Sequence, residues 1–171
     1  SERDAVDVTP NGTNVRTRVH EYGGGAVTFG TTEIFFSDFA TQQLCRLVDG
    51  TAKPITPDDQ RFRFADGVYD ETSQTIYCVR EDHANPEPKN VVNEIASVGL
   101  NGGMKTIASG NDFYAAPRLS PNGSSKLAYV TWNHPNMPWD ATALYVTNIG
   151  AESSCLTSDH ELIAGADGDT S

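Results

Sequence analysis

Three stretches of the chain lie over one another on a single pattern: residues 24–39 (GGAVTFGTTEIFFSDF), 66–83 (DGVYDETSQTIYCVREDH) and 117–135 (PRLSPNGSSKLAYVTWNHP). Each opens on small or apolar residues, passes a polar turn, runs into an apolar strand and ends in a polar or aromatic loop. The recurrence is about 40–50 residues, the spacing of four-stranded propeller blades. A unit of that size cannot bury its apolar face alone, so successive units must stack. No amphipathic helix of ten or more residues is legible, which leaves a Rossmann or α/β-barrel reading without support.

The expected fold is therefore all-β: a partial β-propeller of about three four-stranded antiparallel blades. The spacing puts the blades at about residues 15–57, 62–108 and 113–149. Residues 1–14 read as a linker or outer edge strand, and residues 150–171 as a polar tail or the start of a further blade. Propellers close with four or more blades, so three imply a segment of a longer protein. Open blade edges and apolar faces then favour self-association.

The third unit shows the local logic best. Pro121 presets a turn φ, and Asn122 and Gly123 tolerate the positive φ that a hairpin needs. Leu127 to Trp132 then have strand composition, whereas the prolines at 135 and 138 forbid a regular element between His134 and Trp139. Near the start, Val15, Thr17 and Val19 alternate with Arg16, Arg18 and His20, the period of a strand with one exposed face. Residues 53–60, with two prolines, read as a linker. Gly23, Gly24 and Gly25 lack the Gly-Lys-Ser/Thr and helix of a phosphate loop, and read instead as sites of close backbone approach.

A formal net charge of −11 over 171 residues removes nucleic acid and anionic membrane surfaces from the expected partners. No apolar run reaches membrane-spanning length and no secretory leader is legible, so the expected compartment is cytoplasmic. Cys45, Cys78 and Cys155 are odd in number and lack CxxC spacing, which fits buried free thiols in a reducing compartment. Asn11-Gly-Thr13 and Asn122-Gly-Ser124 match the glycosylation pattern but double as turn sequences.

No metal or other cofactor is expected. His20, His83, His134 and His160 lie in different units without ligand spacing, and Asp167-Gly-Asp169 is too short for a calcium loop. The polar run Arg80-Glu81-Asp82-His83 ends a strand. Arg80, Glu81 and His83 can hold a charged peptide terminus, a guanidinium gripping carboxylate and carboxylates gripping ammonium, or they can pair with one another or a neighbouring blade. Trp132, His134, Met137 and Trp139 can line an entrance, or pack their loop over the blade or against a partner domain.

The motifs HEYGGGA, FFSDF, ADGVYD, VREDH, SGNDFYAAPRLSPNG and WNHPNMPWD occur in this order between residues 15 and 149. Together they closely resemble the N-terminal propeller of prolyl-oligopeptidase-type serine peptidases, nearest to the acylaminoacyl-peptidase and dipeptidyl-aminopeptidase-like enzymes. The resemblance implies a propeller that caps an α/β-hydrolase domain with a Ser-Asp-His triad and admits only small peptides. The chain has no GxSxG nucleophile elbow, so no catalytic residue is assigned and the chain is not expected to be an enzyme by itself. The implied partners are the hydrolase domain of the same parent polypeptide and small peptides. A rival expectation is a stand-alone protein-binding or inhibitory module.

Overall fold

The computed structural model describes residues 4–85, 87–121, 125–149 and 160–165. Twelve strands among them form three four-stranded antiparallel sheets. The first sheet holds β1 (Val27–Phe29), β2 (Ile34–Ser37), β3 (Leu44–Val48) and β4 (Thr51–Pro54). The second holds β5 (Phe62–Asp70), β6 (Thr75–Asp82), β7 (Val92–Gly99) and β8 (Met104–Ser109). The third holds β9 (Phe113–Leu119), β10 (Lys126–Trp132), β11 (Ala143–Asn148) and β12 (His160–Ala164). In every sheet, neighbours in sequence are neighbours in space, the up-and-down order of a propeller blade. The first strands of the blades stand side by side, β1 against β5 and β5 against β9.

Blade 2 is the middle layer, and its sequence shows it. Side chains alternate across a strand, so β6 sends Ile76 and Cys78 one way and Tyr77 and Val79 the other. Ile76, Cys78, Phe64 and Val98 pack with Phe35 and Leu44 of blade 1. Tyr77, Val79 and Ile95 pack with Tyr114, Leu127 and Tyr129 of blade 3. Burial on both faces is why the run TIYCV is continuously apolar where a half-exposed strand would alternate. Each fully buried aliphatic side chain contributes about 1.5–3 kcal/mol, so the blade 1–2 and 2–3 interfaces are the core.

Three expectations are corrected. Residues 15–20 form no strand beyond a single bridge from Val15 to Asp38. Their alternation is real, since Thr17 and Val19 are buried, but it is the alternation of a strap laid across the blade ends. Residues 51–54, taken partly into a linker, form β4, and the third blade does not stop at 149 because β12 pairs with β11. Both outermost strands are largely exposed, so TAKP and HELIA carry no burial pattern for a sequence reading to find. Residues 4–14 form no strand. Asn122, Gly123, Cys155, Asp167 and Asp169 lie outside the described residues. No described helix is long and apolar enough to cross a membrane.

Candidate functional site

The strap of residues 15–26 ties the three blades together at one end. Over blade 1, the guanidinium groups of Arg16 and Arg18 lie 5.1 and 4.4 Å from the centre of the Phe39 ring, and the Arg18 amide donates to Gln42 Oε1 at 3.0 Å. Over blade 2, the His20 amide donates to Glu81 Oε1 at 2.6 Å, and Arg63 Nη1 donates to the Arg18 carbonyl at 3.0 Å. Over blade 3, the His20 ring meets Phe113 and Trp132 edge-on at 5.5 and 5.9 Å. The chain then doubles back, Gly23 donating to the Val19 carbonyl at 2.8 Å, and reaches β1 through the three glycines.

Those glycines are needed for close approach. A Cβ on Gly25 would stand 2.7 Å from Asp66 Oδ1, and one on Gly24 would stand 3.0 Å from the Cβ of Ala65. The Gly25 amide instead donates to Asp66 Oδ1 at 2.6 Å. The reading of GGG as a packing device, not a phosphate cradle, agrees with this geometry.

Beneath the strap lies a pocket of about 390 Å³ whose lining includes His20, Tyr22, Asp66, Ala116, Trp132 and Thr142. Two matched β-bulges shape its wall. In β5 the pairing jumps from Ala65–Val79 to Val68–Tyr77, leaving Asp66 and Gly67 opposite Cys78. In β9 it jumps from Ala115–Val130 to Arg118–Ala128, leaving Ala116 and Pro117 opposite Tyr129. The leading bulge residues, Asp66 and Ala116, have φ of 53° and 51°, and His20, Glu21 and Gly23 of the strap have φ of 54°, 61° and 98°. Left-handed backbone at non-glycine residues costs free energy and gathers at binding sites and switches, and bulges do the same.

Asp66 is half-buried, and its carboxylate is in no ion pair among the described residues. Burial pushes the His20 imidazole below its usual range, opposed by the Glu81 and Asp66 carboxylates. His20 Nε2 and Asn93 Oδ1 are buried without a hydrogen-bond partner. Asn93 stands close enough to favour the charged ring, but outside good bonding geometry.

The sequence-selected polar residues divide between the two faces of blade 2. Glu81 and His83 belong under the strap: His83 Nε2 is 2.9 Å from Glu81 Oε2, and Arg63 joins Glu81 at 3.8 Å and Glu21 at 2.6 Å. Arg80 points the other way. It is 7 % exposed, paired with Glu94 through Nε at 2.9 Å and also through Nη2, bonded to Thr106 Oγ1 at 2.9 Å, and stacked on Phe62.

The aromatic set divides as well. Trp132 is buried and stacks on Phe113 with ring centres 5.2 Å apart, and His134 meets Phe113 edge-on at 5.0 Å. Met137 and Trp139 are 43 % and 76 % exposed on the loop that follows. That loop is pinned at its root, where Asn133 Oδ1 accepts from the Asp112 amide at 2.8 Å and Asp112 Oδ2 accepts from the His134 amide at 2.8 Å. His20 and Asp66 were missed as site residues. Asp66 carried a signal in the motif ADG, where aspartate directly precedes glycine, whereas His20, three residues before Gly23, carried none.

No family model and no curated protein matches the chain. Solved structures do. A Mycobacterium tuberculosis puromycin-hydrolyzing peptidase superposes with a TM-score of 0.79 at 29 % identity, over 94 % of this chain and 27 % of that one. A puromycin hydrolase gives 0.79 at 25 %, and a puromycin hydrolase variant complexed with PGG gives 0.80 at 26 %, each over 93 % of this chain and 27 % of theirs. The chain has the propeller fold of the prolyl-oligopeptidase-type peptidases. This propeller segment spans about a quarter of the length of the peptidases it matches. The three repeats, the four-stranded sheets and the family resemblance agree.

Proposed function

We propose that the chain is the non-catalytic, access-limiting part of a serine peptidase, working with a hydrolase domain of the same parent polypeptide on small peptides. The observation that carries this is the match of nearly the whole chain to about a quarter of each hydrolase, in a stretch with no nucleophile elbow. The acylaminoacyl- and dipeptidyl-aminopeptidase-like enzymes remain the subgroup proposed, on the motifs VREDH and WNHPNMPWD. In this reading the exposed Trp139 and Met137 form part of the surface that meets the hydrolase domain or lines its entrance. Aromatic and methionine side chains suit such half-buried contacts. Glu81 and His83 hold the strap that roofs the pocket, and Arg80 holds blade 2 together.

The test supplies the chain in trans to a separately expressed hydrolase domain from the same polypeptide. The hydrolase alone is expected to cleave chromogenic aminoacyl substrates and long peptides alike. Adding the chain is expected to suppress cleavage of the long peptides selectively. Equal rates on both with and without the chain overturn the proposal, as does turnover by the chain alone that a fluorophosphonate blocks.

A further inference from the structure

Blades 2 and 3 leave a second cavity between them, of about 170 Å³. Its walls include Ile107 and Ala108 of β8, Asn111, and Tyr114, Tyr129 and Tyr145 of β9, β10 and β11. The three tyrosines occupy successive strands of blade 3 and pack toward blade 2. Ring centres are 5.9 Å apart for Tyr114 and Tyr129, and 5.8 Å for Tyr129 and Tyr145, which lie nearly parallel. An apolar cavity of about 150 Å³ already accepts a benzene ring. The space between these blades is thus large enough for one ring.

A run of hydrogen bonds fixes which way the polar groups point. The Asp112 backbone amide can only donate, so the Asn133 atom that it meets at 2.8 Å is Oδ1. Asn133 therefore turns Nδ2 to Asn111, and the facing Asn111 atom at 2.9 Å is Oδ1. That leaves Asn111 Nδ2 and the Asn111 backbone amide both donating to the Tyr114 hydroxyl oxygen, at 3.3 and 3.1 Å. Its two lone pairs are then used, and its own O–H has no acceptor among the described residues. Tyr114 is 1 % exposed, and burial pushes its phenol up, so the proton stays on. A buried donor without an acceptor is costly, and an occupant of the cavity that Tyr114 lines is what can supply one. The Tyr129 hydroxyl is already engaged, 2.6 Å from His160 Nδ1. No arginine or lysine among the described residues lines the space, and the chain carries a net charge of −11, so an anion there would go unneutralised.

We propose that this cavity binds a neutral carbonyl group carried on a single planar ring, an aromatic amide being the simplest case. The Tyr114 O–H donates to the carbonyl oxygen, and the ring lies against Ile107, Ala108 and the Tyr129 and Tyr145 rings. The site does not depend on the peptidase reading.

Titration of the chain with benzamide, toluene and benzoate, followed by amide NMR, tests it. Benzamide is expected to shift the Ser109 and Asn111 amides and to leave those of Gly23, Gly24 and Gly25 in the strap unmoved. Toluene, which lacks the acceptor, and benzoate, which brings a charge, are expected to bind about tenfold more weakly, the worth of one buried hydrogen bond. Tyr114→Phe keeps the ring and removes the donor. It is expected to lower benzamide to the affinity of toluene and to leave toluene itself unchanged. Ser109 is exposed where it lines the cavity, so Ser109→Trp is expected to obstruct entry and abolish binding of benzamide and toluene without disturbing the fold.

No binding of benzamide, or equal binding of toluene or benzoate, overturns the proposal. So do shifts centred on the strap, and so does an unchanged benzamide affinity in Tyr114→Phe. If Tyr114→Phe fails to fold or loses both ligands, the order of the three ligands on the unsubstituted chain decides. None of these outcomes involves hydrolysis, so failure here is distinct from failure of the access-limiting role, which is read from cleavage.

Discussion

Arg80→Ala separates a structural from a ligand-binding arginine. The side chain is nearly sealed, as is its partner Glu94 at 8 % exposed, and it makes the ion pair, the bond to Thr106 and the stack on Phe62. Truncation leaves the Glu94 carboxylate buried with only the Thr106 hydroxyl as donor, at 3.1 Å. Breaking a buried pair by removing one partner costs about 3–5 kcal/mol, far more than the 0–1 kcal/mol of an exposed pair. With a urea m-value of about 2 kcal/mol/M, that is a midpoint lowered by roughly 2 M. Arg80→Met/Glu94→Met, which removes both charges and keeps volume, is expected to recover most of the loss. The assay is urea unfolding followed by tryptophan fluorescence, with the four corners of the double-mutant cycle. A single-substitution cost below about 1 kcal/mol would refute the argument, because it would mean that the guanidinium remains hydrated. In a peptidase carrying this chain, the same substitution is expected to affect free-ended and blocked peptides alike. A KM increase confined to free-ended peptides would restore Arg80 as a terminus binder.

Glu81→Gln weakens the acceptor that holds the His20 amide and is expected to speed hydrogen exchange at residues 18–23 while leaving β6 and β7 protected. Uniform loss of protection across blade 2 would show that Glu81 serves the sheet and not the strap. For His20, the folded pKa lies below the unfolded one, so the unfolded state binds more protons as pH falls through about 6.5. Stability is therefore full above that pH and falls as the solution is acidified toward the folded pKa; His20→Gln is expected to flatten this limb of a urea-midpoint-versus-pH plot, and an unchanged limb refutes it. Burial pushes the Cys45 and Cys78 thiols up to about 11 and about 12, so neither forms appreciable thiolate at neutral pH. Peptide mapping after brief alkylation at pH 8 is expected to find both unmodified in the native chain and both modified in urea.

The inner strands were legible because burial leaves a mark on composition. The run from Thr75 to Val79 is apolar without alternation since neighbouring blades cover both faces, and Phe35 and Tyr114 mark the equivalent interfaces in blades 1 and 3. The outer strands were not. β4 and β12 bury little, so their side chains carry no apolar pattern and their pairing is carried by backbone bonds. Residues 15–20 misled for the opposite reason. Period-two burial arises wherever an extended segment has one covered face, and a strap crossing three blade ends satisfies that without a sheet partner.

The site was half legible for a related reason. Arg80 and Glu81 are adjacent in sequence and chemically suited to one cluster, yet a strand sends neighbours to opposite faces, so a two-sided strand divides them between blade 1 and blade 3. A second repeat lies within the first. Phe64-Ala65-Asp66-Gly67 and Tyr114-Ala115-Ala116-Pro117 each place an aromatic residue, alanine, a left-handed residue and a glycine or proline at the same bulge. Glycine and proline there are explained by backbone alone, since one tolerates the unpaired turn and the other has no N–H to leave unpaired. Asp66 has a backbone reason too, since aspartate tolerates left-handed φ better than the Ala116 of blade 3 and its Oδ1 accepts from the Gly25 amide at 2.6 Å.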